Sequence, residues 1–120
     1  MKKFTEKQIQ EYCYVLAREE YKRLVDYRQT KEYEIARQCG IDTDERIIVF
    51  ISELLLRAFP YIAIENYSKE LIMFLEETKR NDDFFITEIV LSQIDQCEIA
   101  CESIKDYAKN QLKEIYKYGE

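Results

Sequence analysis

"LSQIDQCEIACESIKDYA", Leu91 to Ala108, is the stretch whose reading decides the fold. Cys97 and Cys101 stand one helical turn apart with acids around them. Either they belong to a metal or redox site, or they lie on the seam of a helix with a charged back. Extending steps of three and four residues in both directions collects Ile86, Ile89, Val90, Ile94, Cys97, Cys101, Ile104, Ala108, Leu112 and Ile115. Such steps return to one helical face, whereas a strand would alternate. The spacing predicts one long helix over residues 83–117, opened by Asp82 or Asp83, with a coiled-coil-like seam. Gln93 and Gln111 interrupt it.

The same periodicity governs the rest of the chain. Thr5 followed by Gln8 reads as a capping box. Ile9, Cys13, Leu16, Ala17, Leu24, Tyr27 and Ile35 then form an apolar stripe. It predicts a helix over residues 6–38, closed by Gly40 in the left-handed conformation. In "IDTDERIIVFISELLLRAFP" (41–60), Asp42 or Thr43 is the expected cap and Pro60 the stop. Its apolar residues cover much of the circumference, so this helix is expected to be central and buried on several sides. A fourth helix is expected from a cap at Ser68 to Arg80, packed by Leu71, Ile72, Met73, Phe74 and Leu75, with "RNDD" (80–83) as the break. The fold class is therefore all-α. The expected architecture is a compact bundle of about four main helices, two long (6–38 and 83–117) and two shorter apolar ones between. The whole of residues 1–120 is expected to form a single domain.

Composition agrees with long helices. Only two glycines and one proline occur in 120 residues, which leaves few places for turns. Apolar content of 47% is ample for a packed core. No run of about 18 apolar residues exists to suggest a membrane span. The amino terminus lacks the apolar segment of a signal peptide, so the expected location is the cytoplasm, or the host cytoplasm for a phage-encoded chain.

Several chemistries are excluded by residue type. There is no histidine, which removes Ser–His and Cys–His catalysis. The two glycines are far apart, so no phosphate-cradling loop can form. The four cysteines, Cys13, Cys39, Cys97 and Cys101, lack the paired spacing of a zinc site and read as small hydrophobic residues of the core. No cofactor, metal or catalytic residue is expected. A carboxylate–magnesium hydrolase is the remaining enzymatic alternative. It would need acids from neighbouring helices to converge, and Asp95 with Glu98 is the nearest motif. "YEIARQCGIDTDERIIVF" (33–50) loosely resembles a helix-turn-helix, but the "DTDER" opening of its second helix would face phosphates. A glycine-closed helix connection explains the same residues.

The formal charge of −6 is unevenly placed. Residues 1–40 carry nine basic against seven acidic side chains, a net of +2. The remainder carries nine against seventeen, a net of −8. Such a chain repels nucleic acid and anionic membrane, and suits a basic protein partner. On a continuous last helix, Glu88, Asp95, Glu98, Glu102 and Asp106 fall on a stripe opposite the seam. Their steps of three and four residues space them roughly 5–6 Å apart along the axis, a scale like that of phosphates along a strand. A solvated helix face is the plain alternative. A second lead is the stripe Tyr14, Arg18, Tyr21, Val25 and Arg28 beside the apolar face of the first helix, with Tyr14, Arg18 and Tyr21 as its interface candidates, since tyrosine and arginine anchor many interfaces; a place at the edge of the core, with the hydroxyls reaching water, is the plain alternative.

These features predict a non-enzymatic interaction protein whose partner is a protein with a basic surface. In class and composition the chain resembles small acidic helical inhibitors of phages and mobile elements that block host nucleases, anti-CRISPR proteins among them. What that resemblance implies is occupation of the basic surface of a nucleic-acid-binding protein. The competing reading is a helical homodimerisation or adaptor module.

Overall fold

The computed structural model describes residues 3–118 and is all-helical, with no strand among them. Six α-helices follow in order: α1 (Glu6–Tyr27), α2 (Lys31–Gln38), α3 (Glu45–Arg57), α4 (Glu65–Arg80), α5 (Phe84–Gln96) and α6 (Glu102–Tyr118). A single turn of 3-10 helix, Tyr61–Ala63, joins α3 to α4. Six helices replace the expected four because both long elements are broken.

The first break follows Tyr27. Thr30 takes extended backbone angles, and its hydroxyl accepts a hydrogen bond from the Tyr33 amide, capping a new helix. The acids Glu32 and Glu34 then sit in the first turn of α2, where the helix dipole favours them. The end of α2 is as expected. Gly40 has φ of +75°, its N–H donates to the Arg37 carbonyl, and the Ile41 N–H donates to the Ala36 carbonyl. This is a Schellman closure, which requires the left-handed residue.

The second break overturns the reading of residues 83–117 as one helix. The chain leaves helical geometry at Cys97 and re-enters it at Glu102. A tertiary bond helps to fix the turn: the Cys101 N–H donates to the Ala63 carbonyl at 2.9 Å. The seam nevertheless stays on the core. Ile86, Val90, Ile94, Ile104, Ala108 and Leu112 are buried, with Ile89, Cys97, Cys101 and Ile115 half-buried. The expectation of buried cysteines is also corrected, because Cys13, Cys97 and Cys101 are half-buried and Cys39 is exposed.

Other boundaries shift less. Thr5 and Gln8 make the expected capping box, with both reciprocal bonds present. The Asp42 carboxylate accepts from the Asp44 and Glu45 amides at the start of α3. Ser68 does not cap α4, which begins three residues earlier with Ile64 at the cap position. Asn81, Asp82 and Asp83 form the break before α5, and Asp82 is left-handed with φ of 61°.

Helix α1 packs on α3, α3 on α5, and α5 on α6, while α4 lies against α5 and α6. The result is a flattened body of 50 × 45 × 19 Å. In so thin a layer no helix is covered all round. That corrects the expectation for α3, which packs between α1 and α5 but buries only Ile51, Ser52 and Leu55, leaving Val49 and Phe50 exposed. Met73 on α4 is 64% exposed for the same reason, while Leu71, Phe74 and Leu75 are buried.

Candidate functional site

The turn at residues 97–101 redistributes the acidic stripe. Glu88 and Asp95 project from α5, Glu98 from the turn, and Glu102 and Asp106 from the first turns of α6. All five are exposed. They do not share one helix face, so the evenly spaced ladder expected from a continuous helix is lost. Asp95 lines a shallow depression with Lys109, Lys113 and Lys117 of α6, so its surroundings are of mixed charge. Glu98, Glu102 and Asp106 remain as the closest set along the chain.

The three expected interface residues of α1 divide. Tyr14 and Tyr21 are interior, 3% and 2% exposed, so neither offers its ring to a partner. Arg18 is at the surface. Its guanidinium carbon lies 5.6 Å from the centre of the Tyr14 ring, and it pairs with Glu70 at 3.6 Å across to α4. Burial raises the Tyr14 hydroxyl above its ordinary pKa against the opposing charge of Arg18. Among the described residues no side chain or backbone group makes a hydrogen bond of ordinary geometry to that buried hydroxyl.

Tyr21 belongs to a polar knot that sequence reasoning missed. Its hydroxyl donates to Asp83 at 2.6 Å and accepts from the Asn81 amide at 3.0 Å. Burial and the Asp83 carboxylate both push the hydroxyl far up in pKa. Arg28, at the end of α1, donates twice to Asp83 and once to Asp44. Asp83 and Asp44 stand at the starts of α5 and α3, yet neither caps its own helix through the side chain. Three helix ends are thereby tied through one guanidinium. The hydrogen bonds to Asp83 raise the Arg28 pKa still further.

Two surface depressions flank α1. A groove of about 720 Å³ runs between α1 and α4, with Val15, Met73 and Phe74 as apolar lining and Arg18, Glu70 and Arg80 among its charged residues. A second, also about 720 Å³, follows the first half of α1 and is lined by Phe4, Gln8, Ile9, Glu11, Tyr12 and Val15. Phe4 and Tyr12 are each 66% exposed and Val15 47%. The sequence signal was available: Phe4, Gln8, Glu11 and Val15 repeat at helical spacing beside the core stripe.

Among the described residues, no three cysteine, aspartate or glutamate side chains come together in a way that could hold a metal ion. No helix among them is long and apolar enough to cross a membrane. Comparison of the chain with protein-family models, with curated proteins and with solved structures gives no match.

Proposed function

We propose that the chain is a non-enzymatic interaction protein that binds a protein partner with a basic surface. The finer form of this reading is an inhibitor that occupies the nucleic-acid site of its partner, as anti-CRISPR proteins and similar small acidic inhibitors do. One observation supports it. Glu88, Asp95, Glu98, Glu102 and Asp106 are exposed, and among the described residues none of them is in an ion pair. Carboxylates left in water carry charge that a basic surface can use to speed association. Asp44 and Asp83, by contrast, are held within the fold by Arg28. Of the five, Asp95 is the weakest contact, since lysines of α6 lie beside it.

The test is capture of partners from a host lysate on the immobilised chain, followed by elution with salt and with heparin or short duplex DNA. Proteins that bind through a nucleic-acid site elute under both. The triple variant E98Q/E102Q/D106N removes these charges without setting a cation at the start of α6, and keeps its helicity, since exposed charges contribute only tenths of a kcal/mol. It loses those proteins. Undiminished capture by the triple variant would overturn the reading.

A further inference from the structure

We draw no further inference here: the strongest candidate, the groove between α1 and α4 with exposed Val15 and Met73 on its apolar floor, is rimmed by cations and carboxylates alike, and nothing in the structure shows what covers it.

Discussion

Arg28 grips Asp83 through two parallel hydrogen bonds, each 2.9 Å long, and the Asp83 side chain is only 4% exposed. A carboxylate so placed depends on its partner, because an unpaired buried charge is costly. Replacing Arg28 with Ala is expected to lower unfolding free energy by about 3 kcal/mol or more. Replacement with Lys rescues little, since an ammonium cannot reproduce the planar fork that also reaches Asp44. Urea titration of the two variants checks both statements.

The two buried tyrosines of α1 give opposite expectations for the same chemical change. Y21F deletes a hydroxyl that bonds to Asp83 and Asn81, and is expected to cost about 1–2 kcal/mol. Y14F deletes a buried hydroxyl that has no well-formed hydrogen bond among the described residues, and is expected to be neutral or mildly stabilising. Denaturant midpoints at matched slopes separate them.

Alkaline stability follows from the same burial. The hydroxyls of Tyr14, Tyr21, Tyr61 and Tyr107 are all shifted upward, burial being the first cause in each. Tyr67 adds to it for Tyr61, and Glu76 for Tyr107. In the unfolded chain tyrosine loses its proton near pH 10. Above that pH the folded state holds more protons than the unfolded one, so stability falls as pH rises. Below it these groups are protonated in both states and their contribution is fully present. The expected result is a steep loss of helicity above about pH 10, with tyrosinate absorbance rising in step. Tyrosinate formation complete before any helix is lost would refute it.

Gly40 offers a purely conformational test. Its φ is +75°, and a Cβ placed there meets nothing within 4 Å. G40A is therefore expected to cost about 1 kcal/mol from backbone strain alone. The loss should be confined to α2, visible as a small drop in helicity with the global melting little changed.

Helical periodicity made the fold class and most of the core legible. Ile86, Val90, Ile94, Ile104, Ala108 and Leu112 were placed on the seam and are buried. The same periodicity concealed the turn, because Cys97 and Cys101 keep their half-buried place beside the core while the backbone between them leaves the helix. Neither glycine nor proline marks that turn, and the bond from Cys101 to the Ala63 carbonyl is tertiary. The break before α2 had a local signal: Thr30, with acids two and four residues on, is a helix start. At the candidate surfaces, sequence reasoning found exposed acids and Arg18. It offered Tyr14 and Tyr21 as interface candidates, with the edge of the core as the alternative, and for Tyr21 it could not see that Phe74 of α4 and the Asp83 knot cover it.

Helix α2 buries none of its side chains. Eight residues is far below the length at which a helix persists alone in water. Its attachments run through Thr30, Gly40 and Tyr33, whose ring meets Tyr27 edge-on and whose hydroxyl reaches Asp44 at 3.3 Å. Local opening of this segment exposes no core, so its amides exchange with solvent long before those of α3 or α5. Lys31 and Arg37 make it a natural first site for limited tryptic nicking. The two resulting fragments remain held together by the packing of α1 on α3.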